Sequence, residues 1–238
     1  MEYTGTVSVH SPWPAVLALA ITVGTSCTAN ETVTVFAAAS TARVVEASVQ
    51  AWSAQTGVPV TVSAGSTSVL VRQIQSGARA DLLVAAHPEW AQKVDGLERW
   101  DWLTNGLVEF TVSGVVGGGR TDCIAVGDPE HVPVGMHYRA ELERQGDWAK
   151  VATRIVPMSD APSALVAVKA GVCPVGVAYR TDLMGQTGLR VTKELPADSA
   201  IRVPVVVRTS KGAELAAWLR SAPGTDAARS AGFGVADG

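Results

Sequence analysis

Residues Thr32 to Ala86 read TVTVFAAASTARVVEASVQAWSAQTGVPVTVSAGSTSVLVRQIQSGARADLLVAA, and the alternation within them decides the fold. TVTVFAAAS (Thr32 to Ser40) is a short apolar run, the pattern of a buried strand. From Thr41 to Gln55 the apolar period lengthens and places Val44, Val45, Ser48 and Trp52 on one helical face. Thr56 and Gly57 then stop that helix. The unit repeats: VPVTVS is a strand, AGSTS a turn, VLVRQIQSG a helix, and ADLLVAA a strand that ends before His87 and Pro88. Strand, small polar turn, helix and strand in this order predict a parallel sheet with helices packed on it.

A second series follows. CIAVGD (Cys123 to Asp128), RIVPM and PVGVAY are strands, separated by the helices GMHYRAELERQG and SALVAVKAG. LVEFTVSG (Leu107 to Gly114) lies between the two series, IRVPVVV (Ile201 to Val207) after them, and a helix ELAAWLRSA near the end. The reading is two αβ lobes joined by two extended crossings, each lobe a mostly parallel sheet flanked by helices. Residues 31–108 with 205–238 form the first lobe and 109–204 the second.

The whole chain has 238 residues, 19 Lys and Arg against 22 Asp and Glu, and a net charge of -3. That balance argues against a binder of nucleic acid or anionic membrane, whose affinity comes from clustered cations. A hydrophobic fraction of 47% with 17% charged residues describes a folded protein. Residues 1–30 differ from the rest. The apolar stretch AVLALAITVG (Ala15 to Gly24) is too short to span a bilayer as a helix and fits the apolar part of an export signal, although no Lys or Arg precedes it. Small residues before Cys27 loosely match a lipoprotein cleavage site, which makes Cys27 the lipidation candidate. The expectation is an exported protein, periplasmic or on the outer face of the cytoplasmic membrane.

In open parallel sheets ligands sit beyond the carboxyl ends of the strands, where helices begin. Four such corners here carry small or hydroxyl residues: Ala37 to Ser40, Gly65 to Ser68, Pro133 to Gly135, and Ser159 to Ser163. Each offers unpaired backbone N–H groups at a helix start, and Ser or Thr adds a neutral donor. A single corner is explained by helix capping alone. Four corners from two lobes facing one cleft would bind an anion without any cation.

FAAAS (Phe36 to Ser40), RQIQSGARADLLVAA (Arg72 to Ala86), AVGDPEHVPVG (Ala125 to Gly135) and VGVAYRTD (Val175 to Asp182) closely resemble the periplasmic molybdate-binding proteins of ABC import systems. The resemblance runs from about Glu31 to Phe233, and GDPEHVP is its most specific piece. It implies a type II periplasmic-binding fold, two lobes closing through a two-strand hinge on a dehydrated oxyanion, without enzymatic activity. It also implies a monomer that hands its cargo to membrane permease and ATPase subunits of an importer. No cofactor is implied, and metal enters only as molybdate or tungstate.

Carried over position by position, the resemblance assigns ligand contacts to Ser40, Thr67, Val134, Ala161 and Tyr179. In the first-lobe turn an ungapped match gives Thr67, whereas matching the Ala-Gly-Ser letters gives Ser66; Ser68 is a further alternate. Val134 stands where the family usually has Ala and Ala161 where it has Val, opposite changes in volume. Cys123 and Cys173 open neighbouring strands in the fold so implied, which makes them a candidate disulfide in an oxidising compartment, with free buried cysteines as the alternative.

An enzyme is the competing class. Ser40 follows a strand, but there is no G-x-S-x-G, and His10, His87, His131 and His137 sit in unrelated contexts without H-E-x-x-H spacing. Asp128 and Glu130 read as turn residues. A closer rival is a binder of another oxyanion such as sulfate. Phosphate is disfavoured, because it keeps a proton at neutral pH and none of the assigned contacts is acidic.

Overall fold

The computed structural model describes residues 32–114, 122–195 and 201–236. The export-like segment 1–30 and Cys27 lie outside them.

Strand β1 (Val33–Ala38) runs into a 3-10 turn at Ala39–Thr41 and helix α1 (Ala42–Thr56). The helix buries Val44, Val45, Ser48, Val49 and Trp52, the stripe expected of its period. Gly57 ends it with φ 71, a left-handed conformation that costs glycine least. The chain continues through β2 (Val60–Gly65), α2 (Thr67–Gln75), β3 (Leu82–Val84), α3 (Pro88–Gln92) and β4 (Glu98–Asn105). Then come β5 (Leu107–Val112), β6 (Ile124–Gly127), α4 (Pro133–Gln145), α5 (Trp148–Val151), β7 (Ile155–Met158), α6 (Ala161–Lys169), β8 (Val175–Tyr179) and β9 (Leu189–Glu194). It closes with β10 (Ile201–Val207), α7 (Ser210–Arg220), α8 (Ala222–Ser230) and β11 (Gly234–Val235).

Among the described residues these strands form two sheets, in the orders β11-β4-β10-β3-β1-β2 and β7-β6-β8-β5-β9. The expected parallel series are the blocks β2-β1-β3 and β7-β6-β8. Antiparallel strands complete each sheet: β10, β4 and β11 in the first, β5 and β9 in the second. The result is two helix-flanked lobes.

The strands do not themselves cross between lobes. Leu107–Val112 pairs wholly within the second sheet and Ile201–Val207 wholly within the first. The outward crossing is therefore Gly106, and the return lies between Glu194 and Ile201. This corrects the sequence boundaries at 108/109 and 204/205. Both strands are apolar over most of their length, so periodicity alone carries no mark of which sheet receives them. At the outward crossing Asn105 Nδ2 donates to Thr181 Oγ1 at 2.8 Å, and Asn105 Oδ1 accepts from the Gly106 N–H at 2.9 Å.

The first sheet is covered on both faces. Val33, Val35 and Ala37 pack with α1, Trp102 and Leu215, while Phe36 turns the other way to Leu70, Ile74 and Trp90. Buried Asp81 ties this lobe together: Oδ2 accepts from the Thr34 N–H at 2.8 Å and Oδ1 from Thr209 Oγ1 at 2.5 Å. In the second lobe Phe110, Ala164, Leu165 and Val168 surround a disulfide between Cys123 and Cys173, with Cα atoms 5.2 Å apart. One further cluster belongs to both lobes, joining Ala38 and Ala86 to Val132, Val134 and Tyr179.

Candidate functional site

That shared cluster encloses a cavity of about 20 Å³. Its wall is made from the starts of four helical segments and the end of β8: Ser40, Ser66, Thr67, Val134, Asp160, Ala161 and Tyr179, completed by Ala38, Ala39, Ala86, Val132 and Pro133. All the contacts assigned from sequence therefore meet around one space. Ser66 joins them; Ser68 does not, being buried beside it with its hydroxyl 3.2 Å from that of Ser66.

Local structure explains why each wall segment presents donors. At α2 the N-cap Ser66 gives no side-chain cap, so the first-turn N–H groups at Thr67 and Ser68 keep no helical partner. At α4 Val132 likewise gives no cap and Pro133 has no N–H, which leaves Val134 as the first donor of that helix. At α6 Pro162 again removes one N–H, and Asp160 Oδ1 accepts from the Ser163 N–H at 2.8 Å. The N–H of Ala161 is what remains of that turn. Two helix starts of at least nine residues thus aim their positive ends at the cavity from the second lobe, opposite α2.

Close approach of α4 to the sheet depends on two glycines. A Cβ on Gly135 would land on the carbonyl of Gly127, and one on Gly127 would meet Val134 Cγ1 at 2.6 Å. The larger side chain at 134 is accommodated over Gly127.

Hydroxyl chemistry completes the wall. The Ala86 N–H donates to Thr67 Oγ1 at 3.0 Å, which occupies the oxygen as acceptor and leaves its hydrogen free to donate. Tyr179 is 2% exposed, and its buried Oη has no hydrogen-bond partner among the described residues. Burial first, and the charge of Asp182 second, hold the phenol well above its ordinary pKa, so it stays a neutral donor. Asp182 accepts the Tyr179 N–H at 3.1 Å and is itself pushed up to about 7, chiefly by burial.

Among the described residues no Lys, Arg or His lines the cavity, so the donors that would meet an anion here are neutral dipoles. The residue that sequence reasoning missed is Asp160, a carboxylate in the wall. Its position before Ala-Pro-Ser was the available signal, but it reads as a cap, and Oδ1 does accept from both the N–H and the hydroxyl of Ser163. None of the assigned contacts is acidic, but the wall around them contains this carboxylate.

Elsewhere, Asp128 Oδ1 accepts the Glu130 N–H at 2.8 Å, the turn role expected of that pair. Among the described residues no three His, Cys, Asp or Glu side chains gather to hold a metal ion, and no helix is long and apolar enough to cross a membrane.

Comparison with known proteins follows the same lines. A family model described as bacterial extracellular solute-binding protein matches residues 33–234. The molybdate-binding protein ModA of Escherichia coli strain K12 is 32% identical over 218 residues, 82% of this chain and 84% of that protein. Among solved structures, the periplasmic molybdate-binding protein of Azotobacter vinelandii superposes with a TM-score of 0.73 at 20% identity, covering 86% of this chain and 100% of that one. The sulfate-binding protein SubI of Mycobacterium tuberculosis H37Rv gives 0.72 at 14% identity, with 87% of each chain covered. The two superpositions show a shared fold.

Proposed function

The chain belongs to the bacterial extracellular solute-binding proteins, and on that premise we propose that it captures molybdate or tungstate between its lobes and delivers it to an ABC importer. The observation that carries this reading is the cavity itself: neutral donors from both lobes converge on a space of about 20 Å³ that, among the described residues, no cation lines. A dianion that only accepts hydrogen bonds suits Thr67, whose oxygen accepts from Ala86 and whose hydrogen is left to donate, and Tyr179, whose hydroxyl has no partner among the described residues. Nothing in this reading requires chemistry on the ligand: the protein is a carrier, and Ser40 is a donor rather than a nucleophile. It works outside the cytoplasmic membrane as a monomer, and Cys27 is its proposed lipid anchor.

Isothermal titration with molybdate, tungstate, sulfate and phosphate tests the proposal. We expect one site per chain for molybdate and tungstate and weaker binding of sulfate. Heat for none of the four would sink it. Asp160 favours a second reading, because its carboxylate could accept the proton that phosphate keeps at neutral pH. If that reading holds, phosphate binds tightest and Asp160→Asn abolishes the preference. Metabolic labelling with a radioactive fatty acid, compared between wild type and Cys27→Ser, tests the anchor.

A further inference from the structure

His87 and His137 lie 50 positions apart in sequence and on opposite lobes, yet their ring centroids are 4.5 Å apart with planes inclined by 38°. Both rings have defined roles in the neutral form. His137 Nε2 is 3.0 Å from the carbonyl oxygen of Ala86; a carbonyl can only accept, so Nε2 carries the hydrogen and the bond spans the two lobes. His87 Nδ1 accepts the Glu89 N–H at 3.2 Å at the start of α3, so that nitrogen is bare. The same Ala86 peptide gives its N–H to Thr67 and lines the cavity. The edge of Tyr179 faces His137 at 6.4 Å. The pair is thus built against the site wall without touching the cavity.

We propose that His87 and His137 form a proton-sensitive latch: neutral rings stack and hold the lobes together around the oxyanion, and protonation of either ring opens the cleft and releases it. The proposal rests on the oxyanion-capture reading above. A second proton on His87 Nδ1 would end its bond to Glu89 and place a cation against a partner that has no carboxylate to offer. A proton on His137 would leave a charge in the lobe interface.

The surrounding charges support the direction. His137 is held down at about 4, first by burial and then by His87, with the Ala86 carbonyl opposing. His87 is lowered by burial, with Glu89 raising it and Lys93 lowering it. From β8 the only titratable group facing His137 is Tyr179, a neutral phenol. On α4 itself Arg139 is engaged by Glu130 and Glu143, and Glu109 of β5 takes the Tyr138 hydroxyl at 3.1 Å. A group whose value is depressed in the closed form makes closure favourable above its ordinary value near 6.5, and that contribution is lost as pH falls toward about 4.

The experiment is titration of molybdate into wild type and His137→Gln at pH 7.5 and 5.5, with His131→Gln as a histidine control on an exposed site. Comparing proteins at equal pH cancels any change in the anion. The latch predicts that wild type and His131→Gln lose roughly tenfold more affinity over this interval than His137→Gln, whose amide keeps a donor for Ala86. Equal losses in wild type and His137→Gln overturn it. Should His137→Gln fail to fold, His87→Gln must show the same blunting. If wild type binds nothing at pH 7.5, the capture reading falls on its own. The latch is then overturned unless small-angle scattering shows the ligand-free protein expanding between pH 7.5 and 5.5.

Discussion

The backbone N–H of Ala86 donates to the side chain of Thr67 at 3.0 Å, so a residue 19 positions away sets which hydrogen bond the Thr67 hydroxyl can still make. Ser66 has no such arrangement, since its hydroxyl is shared with Ser68. Thr67→Val should lower oxyanion affinity about 10- to 100-fold, the loss expected for one hydrogen bond to a charged group. Thr67→Ser should stay within a few-fold of wild type, and so should Ser66→Ala. Calorimetry that ranked Ser66→Ala as the worse variant would move the contact to Ser66.

Tyr179 separates binding from stability. Its hydroxyl is buried without a partner, so Tyr179→Phe removes an unsatisfied group and should leave the melting temperature of ligand-free protein unchanged or slightly raised. The same change should weaken molybdate binding by about one to two orders of magnitude. Thermal melts with and without ligand read both quantities, and a lower ligand-free melting temperature with intact affinity would contradict the role given to the hydroxyl.

Closure has an optical reporter. Trp90 belongs to the first lobe, and its indole N–H donates to Met136 of the second at 3.3 Å. Opening the cleft would break that contact and change the environment of the ring. Trp90→Phe should therefore remove most of the ligand-induced change in tryptophan fluorescence while affinity stays within a few-fold. Persistence of the full signal in the variant would show that it arises elsewhere.

The disulfide is expected to matter for stability and not for binding. Cys123 and Cys173 are separated by 50 positions, and tying off a loop of that length stabilises by about 4 kcal/mol in the chain-entropy account. Neither cysteine lines the cavity. Denaturant unfolding of Cys123→Ser with Cys173→Ser should show the loss, and calorimetry on the same protein at low temperature should show affinity close to wild type.

Much of this arrangement was legible in the residues. Val44, Val45, Ser48 and Trp52 gave the period of α1, and the small polar corners at Ser40, Thr67 and Ala161 pointed at one shared cleft, which these residues do line. Other parts were not, for physical reasons. Asp160 caps α6, and only packing reveals that the same residue also faces the cavity. His87 and His137 carry no motif, since their relation exists only once two lobes meet. The crossing at Gly106 was misplaced because β5 and β10, apolar for most of their length, look alike whichever sheet they join.

The contact between Gly135 and Gly127 would make the fit of the proposed oxyanion depend on residues that need never touch it. A methyl group at 135 collides with the Gly127 carbonyl, and relief would come by sliding the first turn of α4 off the end of β6. That slide would carry the Val134 N–H with it and widen the gap between donors in the two lobes. If the cleft holds the proposed oxyanion, the width of that gap would decide which tetrahedral anion fits it. A selection for larger cargo would therefore find its first useful changes in this backbone seat, behind the wall rather than on it.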